Sequence, residues 1–151
     1  MTYEELLDEA DRNNIVTKEK NLISSDGRIK GNCIAIRKGL NSTKKNCVLA
    51  EELGHYYTTV GNIVELKNQS DIKQEHRARV WAYEKLIPIN NIIKCFEANC
   101  QTSYDFASHL GVTEEFLKDT LTYYKQKYGL FVKHNNYIIY FEPYFSIVKI
   151  V

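Results

Sequence analysis

The sequence predicts an α+β protein, mostly helical, with a small sheet before its most informative helix and a hairpin near its end. Three observations predict it. Helix-start signals recur along the chain as T-x-x-E and D-x-x-Q boxes. Apolar residues recur at three- and four-residue spacing in several stretches. Two other regions carry short apolar runs punctuated by glycine and asparagine, the mark of short strands and tight turns.

Taken in order, residues 2–13 form a helix opened by Thr2 and Glu5, with Tyr3, Leu6, Leu7 and Ala10 on one face. From residue 15 to 39 the pieces LIS, RIK and CIAIR read as strands, separated by Asp26-Gly27 and Gly31-Asn32. A second helix starts near Ser42 or Thr43 and runs to about Tyr57. Leu49, Leu53, Tyr56, Tyr57 and Val60 supply its buried side, and Gly61-Asn62 ends the stretch. A third starts at Asp71, boxed by Gln74, and stops before Pro88, since a residue preceding proline resists the helical region. Further helices are expected at about 90–97, 102–110 and 113–128. Asn135-Asn136 turns between LFVKH and YIIYF, and FSIVKIV is a last strand. Residues 1–100 are expected to form the core, with 101–151 packed on it as one compact unit.

Bulk properties narrow the function. A net charge of +1 over 151 residues is too small for nucleic acid or an anionic membrane as main partner. The acidic start MTYEELLDEADRNN lacks the apolar core of a signal peptide, and no run reaches the roughly 18 apolar residues of a membrane span. A cytoplasmic location is therefore expected. Cys33, Cys47, Cys95 and Cys100 form no C-x-x-C pair and read as reduced thiols, most of them packing residues.

The chemistry concentrates in Leu49-Ala50-Glu51-Glu52-Leu53-Gly54-His55. On a helix Glu51 and His55 are four apart and point the same way, so both can grip one ion. Glu52, three before His55, reaches a water on that ion without being a ligand. This is the layout of an H-E-x-x-H metallopeptidase helix with glutamate at the first histidine. The best third donor is Glu75 on the next helix; adjacent His76 is the alternative, and helical divergence of about 100° lets only one of them face the site. An E-E-x-x-H string alone is common on solvated helices. Gly54, the apolar Leu49 and Leu53, and the matching second helix distinguish this one.

The stretches CVLAEELGHYYTTVGN and KQEHRARVWAYEKLIP together resemble the ImmA/IrrE family of metallo-endopeptidases, as does the strand-like CIAIRKGL before them. That family pairs an H-E-L-G-H helix with a second helix of the form E-x-x-A-x-x-[FW]-A-x-x-L-[LI]-x-P. Glu75, Ala78, Trp81, Ala82 and Pro88 fit the second pattern, with Leu86 one step late. The resemblance implies a zincin-like core, with His55 and Glu75 as zinc ligands and Glu52 as the general base. Glu51 stands where the family has a histidine. A carboxylate is a legitimate zinc ligand. Glu51 and Glu75 together would neutralise Zn²⁺, make its water less acidic and favour harder ions such as Mn²⁺. Arg79 is a candidate to orient Glu75 and equally a surface charge, and Tyr56 or Tyr57 is a candidate oxyanion donor, with packing the favoured role of both tyrosines.

Residues 102–128 resemble a helix-turn-helix, with Ala107 and Gly111 at the tight turn and Phe106, Leu110, Val112 and Leu117 as its core. Charge argues against DNA reading. Beyond residue 100, Lys118, Lys125, Lys127, Lys133 and Lys149 are balanced by Asp105, Glu114, Glu115, Asp119 and Glu142. The resemblance implies a phage- or prophage-encoded peptidase that cleaves or inactivates a helix-turn-helix repressor in a mobile-element switch. The alternatives are an inactive binding protein that sequesters such a repressor, and a DNA-binding regulator.

Overall fold

The computed structural model describes residues 1–59 and 69–150, the side chains of 69–71 excepted. Thr2 opens α1 (Tyr3–Arg12). Its hydroxyl accepts the Glu5 N–H at 3.2 Å and the Glu5 carboxylate accepts the Thr2 N–H at 2.8 Å. Two donors that a helix start leaves bare are thereby satisfied. The chain forms two compact units, Met1–Leu86 and Ile87–Val151.

In the first unit, β1 (Val16–Lys20), β2 (Gly27–Lys30) and β3 (Cys33–Arg37) make a sheet in the order β1-β3-β2. β1 runs parallel to β3 and β2 antiparallel to it. Gly31, at a φ of 61°, makes the turn between β2 and β3 that the sequence predicts. Two expectations fail here. The strand is VTKEK, not LIS, and Asp26-Gly27 is no turn, since Gly27 begins β2. β1 is an edge strand with most side chains in solvent, so its sequence carries no apolar alternation. Leu22 and Ile23 are held as loop because Arg37 takes their carbonyls. Its Nε donates to Leu22 O at 3.0 Å, its Nη2 to Ile23 O at 2.8 Å, and its Nη1 lies 3.1 Å from Asp26.

Asn41 starts α2 (Ser42–Thr59) by accepting the Lys44 N–H at 2.8 Å. α2 packs on β2, β3 and α1. Ile34 and Ile36, two apart on β3, are fully buried, as are Leu49 and Leu53 on α2, the helix that packs on this strand. α3 (Gln69–Leu86) begins two residues earlier than the Asp71 start expected, so Asp71 lies inside the helix. The Asp71 side chain, Val60 and the Gly61-Asn62 stop lie outside the described residues. Tyr57, expected inside, is exposed.

The second unit contains α4 (Ile89–Glu97), α5 (Ser103–Leu110), α6 (Glu114–Tyr128) and a three-stranded antiparallel sheet. Its strands are β4 (Phe131–His134), β5 (Tyr137–Tyr140) and β6 (Ser146–Lys149). Thr102 and Asp105 form a second reciprocal cap, and hydrogen bonds from the Gln101 and Thr102 N–H groups hold the Asp105 carboxyl below the usual carboxylate range. Gly111 closes α5 in the left-handed region at φ 72°. Phe106, Leu110, Val112 and Leu117 are buried, as expected. The buried Tyr124 hydroxyl donates to Ile87 O at 2.7 Å. Tyr124→Phe is expected to cost about 1–3 kcal/mol by stranding that carbonyl; an unchanged urea midpoint would show that the bond carries no weight. No helix among the described residues is long and apolar enough to cross a membrane.

Candidate metal centre

The site depends on how closely two helices approach. Gly54 of α2 is buried, and a Cβ there would lie 2.2 Å from the Ala78 carbonyl oxygen of α3. Only glycine allows this contact, so the two backbones touch. His55 follows Gly54, and Glu75 lies one turn before Ala78. Their side chains consequently meet, with His55 Nε2 3.0 Å from Glu75 Oε2. The other carboxylate oxygen of Glu75 faces Arg79 Nε at 3.5 Å, a pair one turn apart on α3. His76 points into solvent. Of the two donors that the sequence leaves open, Glu75 is the one that reaches His55.

Glu52 lies on the sheet side of α2. A Cβ on Gly27 would stand 2.9 Å from Glu52 Oε1 and 2.5 Å from Val48 Cγ1, so β2 leaves space for this carboxyl by carrying glycine. Burial, then the negative charges of Glu51 and Glu75, push the Glu52 carboxyl up to about 7. That is the range in which a carboxyl exchanges protons at neutral pH. Gly27, expected in a turn, instead begins β2 and makes room for Glu52; a glycine at the start of a strand is the sequence signal of such a close approach.

Glu51 is half-buried, on the same helix stripe as His55. Among the described residues, no three His, Cys, Asp or Glu side chains gather closely enough to hold an ion. The donor chemistry nevertheless fits a divalent cation. Two ligand atoms at about 2.1 Å from a tetrahedral ion are roughly 3.4 Å apart, close to the 3.0 Å between His55 and Glu75.

The remaining candidates sit elsewhere. Tyr57 stacks on Trp81 with ring centroids 5.1 Å apart, and Tyr56 meets Tyr57 edge-on. Lys85 lies over Trp81 and pairs with Glu9 at 2.7 Å. Burial and the nearby Glu9 raise the Tyr57 hydroxyl. These contacts place Tyr57 in a packing cluster of α1, α2 and α3.

A helix carrying E-E-x-x-H beside a small sheet, closed by a glutamate from the next helix, defines a protein of metallopeptidase type. Residues 10–122 match the Peptidase M78 family, described as the IrrE N-terminal-like domain; the match spans well over half of the chain, which belongs to this family. Comparison with curated proteins gives no match, and comparison with solved structures gives none. Membership implies a divalent metal, usually zinc, and a protein substrate.

Proposed function

We propose that this chain is a metal-dependent endopeptidase that cleaves or inactivates a helix-turn-helix repressor in a phage or mobile-element switch. The observation that carries the catalytic part is the His55–Glu75 contact with Glu52 beside it, its carboxyl raised toward neutrality. His55 and Glu75 would hold the ion, with Glu51, on the same helix stripe as His55, as the third ligand. When bound, a divalent ion supplies polarisation of the scissile carbonyl and acidifies the attacking water.

Glu52 takes the proton from the water as it attacks, then delivers that proton to the leaving amine. Arg79 holds Glu75 in place through its second oxygen. β2 lies at the sheet edge, directly beside Glu52, where an extended substrate can add as a further strand. The exposed Glu114 and Glu115 that open α6 repel phosphate, which favours a protein partner over duplex DNA.

Elemental analysis of untagged protein, purified without chelators, tests the site. About one zinc or manganese per chain is expected in the parent, and a near-empty His55→Ala. Metal retained by His55→Ala would remove His55 from the site. A second reading, a binding protein that holds the repressor without cutting it, is favoured by the lack of a gathered third donor among the described residues. It predicts an empty parent and a loaded Glu51→His.

A further inference from the structure

The second unit holds a pair of sulfurs that the proposed peptidase chemistry does not use. α4 ends in a Schellman turn: Asn99 adopts the left-handed conformation at φ 64°, and the Cys100 N–H donates to Cys95 O at 3.0 Å. In this turn the side chains three positions before the cap and two after it come together. Those positions are Cys95 and Cys100. Backbone dimensions and the 3.0 Å bond keep their Cα atoms within about 7 Å, near the outer limit for a disulfide. Both thiols are free.

Their surroundings differ. Cys95 is fully buried, whereas Cys100 is half-exposed. Cys100 borders an open hollow of about 490 Å³ that it shares with Asn99, Asp105 and the exposed His109. Its Sγ lies 3.6 Å from the Asp105 carbonyl oxygen. One thiol is therefore reachable from solvent and the other is stored directly beneath it.

We propose that Cys95 and Cys100 form a dithiol site for two-electron oxidation by peroxide, with Cys100 as the attacking thiol and Cys95 as the resolving one. The Cys100 thiolate attacks one peroxide oxygen. An S–O bond forms, the O–O bond breaks, and the other oxygen leaves as water after taking up a proton. Cys95 Sγ then attacks the sulfenic sulfur. The S–S bond forms, the S–O bond breaks, and the hydroxyl leaves as water with the Cys95 proton. Two thiols are oxidised and one peroxide is reduced to two waters. Burial and the neighbouring Cys100 push the Cys95 thiol up to about 12, which leaves the first attack to Cys100. The disulfide would lock the turn between α4 and α5 and draw Cys100 from the Asp105 carbonyl.

The test uses the full chain with Cys33→Ser, because the exposed Cys33 would otherwise link molecules. Cleavage after Lys94 and Lys118 leaves both cysteines on one peptide. After peroxide and alkylation under native conditions, that peptide is expected to lose about 2 Da and to resist alkylation until reduced. With Cys95→Ser added, Cys100 should stop at a sulfenic acid trapped by dimedone; with Cys100→Ser, Cys95 should remain a thiol. Two reduced thiols, or Cys100 advancing to sulfinic acid beside an unmodified Cys95, would overturn the proposal. Equal rates of cross-linking in the folded chain and in urea would overturn it too, since the fold would then contribute nothing.

Discussion

Glu52→Gln is expected to abolish peptide hydrolysis and, in metal-free protein, to raise thermal stability above neutral pH. The amide can neither accept the proton of the attacking water nor pass it on, and loss of a positioned general base costs about 10²–10⁴ in rate. The stability effect has the opposite direction. The folded state holds the Glu52 carboxyl at about 7 against an ordinary 4.5 because it is buried beside Glu51 and Glu75. Folding therefore favours the protonated form. Its contribution is complete below pH 4.5 and is lost as pH rises through 7. Above that, the native protein carries a buried charge that glutamine does not. Discounted for partial exposure, the difference is about 1–3 kcal/mol, several degrees in Tm for a domain of this size. The gap should close near pH 4. Melting curves that coincide at pH 8 would refute the electrostatic argument, and surviving cleavage would refute the catalytic one.

Gly54→Ala should be among the most damaging single-methyl additions. Two effects compete. Alanine favours a helix interior by about 1 kcal/mol over glycine. Against this, the new Cβ would meet the oxygen, carbon and Cα of Ala78 at 2.2, 2.9 and 3.0 Å. All three atoms belong to the backbone, so no side chain can turn aside. The helices must separate, and overpacking of this kind costs about 1–3 kcal/mol or more. Steric cost wins, for a net loss of roughly 2 kcal/mol or more in urea unfolding. Separation also pulls His55 from Glu75, so bound metal should fall with stability. A variant that keeps both its urea midpoint and its metal would show that the contact relaxes without consequence.

Much of this architecture was legible because it rests on local rules. The reciprocal caps at Thr2 with Glu5 and at Thr102 with Asp105 are reflected directly in residue type and spacing. The turns at Gly31-Asn32 and Asn135-Asn136 are likewise marked by residues that accept a positive φ. That only one of Glu75 and His76 faces His55 follows from helical divergence, and the structure puts Glu75 there. β1 was hidden because an edge strand needs no apolar alternation, so VTKEK resembles a loop. LIS has the apolar content of a strand, but its Leu22 and Ile23 carbonyls accept from Arg37 and not from a neighbouring strand. The function of Gly27 was hidden for a different reason: it depends on Glu52, twenty-five positions away, and no local pattern records such an approach. Whether Glu51 closes on the other donors is a matter of rotamers, to which spacing is blind.

The Arg37 clamp has a further consequence, for what can vary. One guanidinium fastens two carbonyls and a carboxylate of the segment that leads into β2. Leu22 and Ile23 contribute main-chain oxygens, which every amino acid possesses, and the Ile23 side chain stands 94% exposed. The loop's shape is thus specified by one residue outside it and largely independent of its own letters. Ile23, Ser24 and Ser25 are open to drift, and to recruitment as a recognition tip beside the edge strand, while the scaffold stays fixed. Lysine could not substitute for Arg37 here, since a point charge lacks the planar fork that reaches three partners at once.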